Sequence, residues 1–437
     1  MPPGVAPVYG EGVPGSIVHD GVGDEAAGAM QFSKRTDWNT EESELARAHR
    51  ERVAAGLPVA DLTASNPTRC GFEYAPELLA PLRDERALDY DPQPRGLLRA
   101  REAVCAYYAE HGVRVSAEQV ILTTSTSEAY SFLFRLLCDP GSEVLVPQPG
   151  YPLFDFLATL DDVRIRMAPL VYDHGWQIDP VGFRRMVTAE TRAIVLVHPN
   201  NPTGHFTKAW ETRELGELCR EFGLAVIADE VFLDYGFGEA AEGGFVNGGQ
   251  GSFAAGLEDV PVFVVSGLSK IAGLPQMKAA WIVATGPRRE EALERLEVIA
   301  DAFLSMNAPI QGAIPAWLEG RKGVQEQIRE RVRGNLAELD RQLGGQDVVR
   351  RLEVEGGWYA VLRIAAVQPD ELTVRELLER GVWVHPGHFF GMGESGWLVV
   401  SLLAPYPEFR AGVTTLLNSL GTHQAGNGTG SVGKVEL

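Results

Sequence analysis

The residues of this sequence that could do chemistry lie just beyond short apolar runs. Lys270 follows PVFVVS in the stretch SGLSK. Asp229 closes LAVIAD, a run so apolar that a carboxylate there is costly unless a cation or donor meets it. Asn201 follows RAIVLVH, inside the turn-forming cluster HPNNPTG. Each has an ordinary reading, as a surface lysine, a helix cap and a turn residue. Jointly, a lysine, a carboxylate and an amide at the ends of three buried strands point to one site. A fourth run, QVILTT, leads into Ser125-Thr126-Ser127-Glu128 and then the helical pattern AYSFLFRLL. Small hydroxyl residues at a helix start offer free N–H groups and the positive dipole end to an anion. They serve equally as an N-cap with Glu128 in the first turn, and both readings stand. A fifth element is Tyr151 in PQPGYPLF, an aromatic placed to cover a flat ring.

The elements that must hold these residues alternate along the chain. Strand candidates cover 119–124, 143–147, 164–167, 192–198, 224–229, 261–266 and 279–284, and most are apolar throughout, as in strands covered on both faces. Helical patterns at about 96–111, 127–138, 178–188, 208–222 and 288–304 separate them. This βαβ alternation predicts an α/β fold whose large domain is a mostly parallel, seven-stranded sheet covered by helices. Ligands on such sheets sit beyond the carboxyl ends of the strands, where the polar residues fall. From about residue 305 a long helical stretch runs to about 344, followed by short strands near 349–353, 358–362, 382–384 and 397–402. We therefore expect residues 76–304 to form the large domain. Residues 32–75 and 305–420 should form a smaller α+β domain. Residues 1–31 and 421–437, rich in Gly and small residues without periodicity, read as disordered tails. Gly243–Gly256 reads as a Gly-rich surface loop.

Composition excludes several function classes. The 437 residues carry a net charge of −20, which argues against a general affinity for nucleic acid or an anionic membrane. Hydrophobic residues make up 45%, ordinary for a globular chain, and no run reaches the length of a membrane span. The N-terminus has neither a basic start nor an apolar run, so a signal peptide is not expected and the compartment read is the cytoplasm. The four cysteines are widely spaced, with no metal-ligand pattern, and read as reduced core residues; no metal site is expected.

Motifs along the whole body add a resemblance. DLTASNPT (61–68), YDPQPRG (90–96), TTSTSEA (123–129), PGYP (149–152), NNPTG (200–204), DEVF (229–232), SGLSK with LPQMK (266–278), GGWY (356–359) and HPGHFF (385–390) occur in order. The set resembles fold-type I pyridoxal-phosphate (PLP) enzymes, specifically the class I/II aminotransferase family, from about residue 32 to 420. The resemblance implies that Lys270 forms a Schiff base with pyridoxal 5'-phosphate and carries the substrate Cα proton. It implies that Asp229 pairs with the pyridine nitrogen, Asn201 donates to the phenolic oxygen and Tyr151 stacks on the ring. Thr126, Ser127, Ser269 and Lys278 should hold the phosphate, and Tyr90 should reach the phosphate of a neighbouring subunit in a homodimer with shared sites. Ser65 and Asn66 match the loop that closes over the substrate.

Departures from the family pattern bear on substrate. Phe232 stands where a tyrosine is usual and cannot hydrogen-bond the phenolic oxygen. Lys278 replaces an arginine fork with a point charge. Val399, in WLVVSLLA, falls where most aminotransferases carry an arginine for the substrate carboxylate, in a pattern like RxSLA. Arg95, His388 and Asn307 are the polar candidates to take its place. Arg95 also reads as a surface arginine, and His388 as a structural histidine beside a Pro-Gly turn. The function implied first is a PLP-dependent aminotransferase acting on an amino acid. The alternative is elimination or replacement at the β or γ carbon, or C–C bond formation, in specialised biosynthesis. A PLP fold that only binds or regulates is disfavoured by retention of Lys270, Asp229 and Asn201 together.

Overall fold

The computed structural model describes residues 30–238, 251–393 and 395–427. Nearly all of the N-terminal tail, the last ten residues and positions 243–250 of the Gly-rich loop lie outside the described residues. Within them, β1 (Ala60–Asp61) precedes a run of strands β2 (Val120–Thr123), β3 (Glu143–Gln148), β4 (Arg164–Tyr172), β5 (Trp176–Ile178), β6 (Thr191–Val197), β7 (Ala225–Asp229), β8 (Val262–Gly267) and β9 (Ala280–Thr285). These eight form one sheet in the order β2-β9-β8-β7-β6-β3-β4-β5. Neighbours from β8 through β7, β6 and β3 to β4 are parallel. Strand β9 runs antiparallel to both β8 and β2, and β5 to β4.

All seven apolar runs are strands. The sheet nevertheless has eight strands, not seven, and is mixed at both ends. The extra strand is the second arm of a hairpin through His174, whose φ is 53°. Three residues are too few to register as a period in sequence.

Strand alternation divides the sheet's apolar residues between two cores. Val226, Ala228, Val262, Val264, Ile194 and Leu196 face one, with Leu215 and Leu218 of helix Ala209–Phe222. Ala225, Ile227, Phe263, Val265, Ala193 and Val195 face the other, with Phe132 and Leu133 of helix Thr126–Leu137. Both faces are covered, and this is why the runs are apolar throughout.

The C-terminal part adds β10 (Arg350–Arg351), β11 (Tyr359–Arg363), β12 (Val382–Trp383), β13 (His385–Pro386) and β14 (Trp397–Ser401). Strands β10-β11-β14-β13 form an antiparallel sheet, and β1 pairs in parallel with β12, so the N-terminal segment joins this part of the fold. The helical stretch read as continuous is two helices, Ala308–Gly320 and Lys322–Leu343, divided at Arg321. The last helix, Tyr406–Asn427, runs beyond residue 421 into the segment read as a tail. Among the described residues no helix is long and apolar enough to cross a membrane, and no His/Cys/Asp/Glu group could hold a metal ion. None of the four cysteines forms a disulfide.

Gly204 joins the two parts. Its φ is +69°, and a Cβ there would collide with the Gly356 carbonyl and the Val354 side chain. Gly204→Ala should therefore destabilise the protein by about 2–4 kcal/mol, read by urea unfolding, since backbone strain and overpacking act at one atom.

Candidate active site

Three adjacent parallel strands bring the central residues together. Asp229 ends β7, in register with Val197 of β6 and Val265 of β8. Beyond Val197 the chain turns through Asn201, and beyond β8 it enters the short helix Leu268–Ile271, which carries Lys270. The carboxylate, the amide and the amine thus share the carboxyl edge of the sheet, as the sequence led us to expect.

Asp229 is buried and accepts from the Tyr130 hydroxyl at 3.0 Å and the Val231 amide at 3.1 Å. Burial pushes its carboxyl up to about 6, opposed by those two donors and by Lys270. The Lys270 ammonium lies 4.8 Å from the ring centroid of Trp358 and 5.7 Å from that of Phe232. Burial pushes it down to about 8, while Asp229 and Cys70 pull the other way. The backbone around the lysine is pinned by two tyrosines. Tyr235 donates to the Lys270 carbonyl and Tyr74 to the Gly273 carbonyl, both at 2.7 Å.

Asn201 is buried, and its Oδ1 has no hydrogen-bond partner among the described residues. Its neighbour Asn200 donates to the Pro149 carbonyl at 3.0 Å, which ties this turn to the one before Tyr151. Tyr151 meets Phe154 edge-on at 5.7 Å, and Phe154 meets Tyr130 edge-on at 5.1 Å. The aromatic chain therefore ends on the residue that holds Asp229.

At the start of helix Thr126–Leu137 both sequence readings coexist. Ser125 accepts from the Glu128 amide at 3.1 Å and Glu128 accepts from the Thr124 amide at 2.7 Å, a reciprocal cap. The cap leaves the hydroxyls of Thr126 and Ser127 without hydrogen bonds to described residues, and the same holds for Ser269. Lys278 is exposed, in a left-handed conformation at φ 51°, and makes no ion pair among the described residues.

The remaining candidates fall differently. Arg95 donates to Glu297 at 2.7 Å and to the Glu118 carbonyl at 3.2 Å, so its guanidinium is already engaged. Asn66 accepts from both the amide and the hydroxyl of Thr68 and caps its own turn. Asn307 likewise caps helix Ala308–Gly320 through the Ile310 amide. His388 is exposed and lies edge-on to Phe389 at 4.9 Å. Ser65 meets the buried hydroxyl of Tyr359. Tyr90 is 84% exposed, on a cleft of about 760 Å³ whose lining includes Leu304 and Asn307 but not Lys270, Asp229 or Asn201.

Val399 is fully buried, opposite Val361 and His385. Phe390 packs 5.6 Å from His385 and 6.2 Å from Tyr359. Aromatic and aliphatic groups thus line the position where an arginine would stand, and burial pushes His385 down to about 4, so it is neutral there.

Sequence reasoning missed Tyr130, Tyr235 and Tyr74, and held Trp358, Tyr359 and Glu230 only inside motifs, without a role. Glu230 follows Asp229 directly yet faces the opposite core. It accepts from Ser252 at 2.7 Å and from the Phe253 amide at 2.5 Å. Ser252 and Phe253 belong to the Gly-rich segment read as surface loop, and both are buried. Burial pushes Glu230 up to about 7 from an ordinary 4.5. The folded protein therefore holds a proton that the unfolded chain has released across that window. Stability contributed at this site falls as pH rises from about 4.5 to 7, at up to about 1.4 kcal/mol per unit. Glu230→Gln should flatten the decline, as urea unfolding compared at pH 5 and pH 7.5 would show.

Fold and site together describe an α/β enzyme built on a strand-end lysine. The family model described as "Aminotransferase class I and II" matches residues 62–408. The chain belongs to this family and is a PLP-dependent transferase, an aminotransferase. A glutamate-pyruvate aminotransferase of Haemophilus influenzae is 28% identical over 366 residues, covering 80% of this chain and 87% of that protein. An S-alkyl-thiohydroximate lyase of Arabidopsis thaliana is 30% identical over 243 residues, covering 54% of this chain and 51% of that protein. A solved alanine aminotransferase from Pyrococcus furiosus superposes with a TM-score of 0.80 at 23% identity, covering 90% of this chain and all of that one, a likeness of fold.

The residues present fit pyridoxal phosphate. Three hydroxyls, a helix N-terminus and a lysine outside any ion pair among the described residues are the donor set for a phosphate. A buried carboxyl raised to about 6 calls for a cationic N–H, and the Asn201 side chain, with no hydrogen bond to the described residues, has its N–H donors uncommitted.

Proposed function

We propose that this aminotransferase acts on an amino acid through Lys270, with Asp229, Asn201 and Tyr151 around the cofactor ring and Thr126, Ser127, Ser269 and Lys278 at its phosphate. The observation that carries the reading is the convergence of Lys270, Asp229 and Asn201 at the ends of β8, β7 and β6. Bound pyridoxal phosphate supplies an electron sink for the negative charge left at the substrate Cα. An amine whose pKa falls to about 8 keeps a far larger neutral fraction near physiological pH than an ordinary lysine, so Lys270 can take a proton from Cα and return it nearby. Trp358 and Phe232 wall the amine off from water, which disfavours its charged form and holds its pKa down against the pull of Asp229. Asp229 carries the negative charge that keeps a ring N–H protonated, while Tyr130 and Val231 fix its orientation.

We also propose a homodimer in which Tyr90 reaches the partner's site. Its support is apolar exposure beside the cleft: Leu88 and Phe303 stand out into solvent with Tyr90 in the single chain.

The test is a half-reaction. Purified holoenzyme is mixed with a panel of amino acids while the visible absorption of the cofactor is followed. At least one donor should bleach the band and yield a keto acid, and a keto acid should restore it. No bleaching across a broad panel would overturn the reading. The apolar surroundings of Val399 favour a second one, loss or replacement of a β or γ substituent. Release of a thiol from a substituted amino acid, without any keto-acid requirement, would establish that instead.

A further inference from the structure

We propose that Glu355 is a positioning residue that fixes Asn201 from the C-terminal part of the fold, and so sets the hydrogen bond offered to the cofactor's phenolic oxygen. The inference rests on Asn201 being a cofactor ligand. Between the end of β6 and helix Ala209–Phe222 the chain forms neither helix nor strand that would hold it. Inside the turn, the Gly204 amide donates to Asn200 at 2.7 Å and the Asn200 amide to His205 at 2.8 Å. These bonds shape the turn but do not reach the C-terminal part of the fold.

The anchor is Glu355. Its Oε2 accepts from the Phe206 amide at 2.9 Å, and its Oε1 pairs with the Lys208 ammonium. Its backbone N–H donates to the Gly204 carbonyl at 3.3 Å and its carbonyl accepts from Phe237 at 2.8 Å. One residue therefore grips the turn at three consecutive alternate positions: Gly204, Phe206 and Lys208. The Lys208 and Glu355 side chains are only 18% and 17% exposed, so their attraction is screened less than that of a surface pair. A second carboxylate backs the first. Glu211, fully buried, accepts from the Lys208 amide at 2.6 Å and from the Ile178 amide at 2.6 Å. The His205 ring lies between the two, 3.1 Å from Glu211 and 3.8 Å from Glu355.

The other end of the same segment reaches the lysine. Trp358 forms the aromatic wall 4.8 Å from the Lys270 amine. The stretch 355–358 thus governs two features of the chemistry at once: where the amide donor stands and what the amine faces. A simple structural pin would alter stability alone. A positioning residue must also alter the electronic state of the cofactor, and it must do so through Asn201.

The experiment uses full-length protein prepared without cofactor and then loaded with pyridoxal phosphate. Variants are Asn201→Ala, Glu355→Ala, Glu355→Gln, Lys208→Met and the double variant Asn201→Ala/Glu355→Ala. Cofactor affinity is read by quenching of tryptophan fluorescence, and the pH midpoint of the bound cofactor's visible absorption by titration. A hydrogen bond to the ionised oxygen favours that form, so Asn201→Ala should raise the midpoint by roughly one unit. Glu355→Ala should raise it in the same direction and weaken cofactor binding by roughly tenfold, with Glu355→Gln and Lys208→Met intermediate. The double variant should show no further rise over Asn201→Ala, because the effect passes through that residue. A wild-type midpoint in the Glu355 variants, with Asn201→Ala shifted, overturns the proposal. Full additivity in the double variant does the same. An unshifted Asn201→Ala overturns the assignment of Asn201 itself, and Glu355 falls with it. If Glu355→Ala does not fold, Glu355→Gln and Lys208→Met carry the comparison.

Discussion

Replacing Lys270 with alanine should lower amino transfer by at least about 10³-fold while the protein stays folded. In the proposed function the amine has two tasks, attachment of the cofactor and movement of the Cα proton, and general base work alone is typically worth about 10²–10⁴-fold. Among the described residues, the Trp358 and Phe232 rings that flank the amine have no basic atom to take over its work. The visible absorption of the bound cofactor should change along with the rate, which separates loss of the lysine from general damage. Stability should move the other way. A lysine whose pKa drops to about 8 on folding weakens the native state at any pH below that value, and the cost fades only as pH rises toward 10.5. Lys270→Ala should therefore melt at a higher temperature than the wild type at pH 7, by calorimetry without cofactor. An unchanged spectrum and rate would remove the lysine from the chemistry.

Asp229→Asn should slow the reaction by about 10²–10³-fold, the scale expected when one preorganised charge is neutralised in a dry site. The amide keeps the size of the carboxyl and can still accept from Tyr130, so the pocket should keep its shape. What disappears is the negative charge proposed to hold a proton on the ring nitrogen. Cofactor affinity should fall far less than turnover, and a stopped-flow half-reaction would separate the two. Equal losses in both would make Asp229 a binding residue only.

Much of this was legible in the sequence because the fold writes it locally. Strands buried on both faces must be apolar along their length, so the seven runs stand out and the polar residue after each is conspicuous. Lys270, Asp229 and Asn201 are of this kind. The supporting residues are not. Tyr130 is one aromatic among several on a helix, and only its tertiary partner, Asp229, distinguishes it. Arg95 and Asn66 stood in suggestive motifs, yet nearby acceptors and donors took up their side chains. Glu355 looks like a surface acid beside two glycines until the turn at Gly204 is folded against it. Ser252 and Phe253 were hidden by their glycine-rich neighbours, since composition reports flexibility but not what a buried Glu230 needs.

Strand β7 ends on Asp229, Glu230 follows directly, and alternation sends the two acids to opposite sides of the sheet. Asp229 meets Tyr130 on one side, and Glu230 meets Ser252 and Phe253 on the other. A single-residue slip of this strand would place Glu230 where the proposed function puts Asp229 and bury Asp229 among groups that have no use for it. Pairing with β6 along the whole of β7, and with β8 from Val226 to Asp229, makes that slip costly. The alignment of one strand is in this sense a chemical specification: an insertion or deletion within it would rewire the acid–base circuit of the enzyme without changing a single functional side chain.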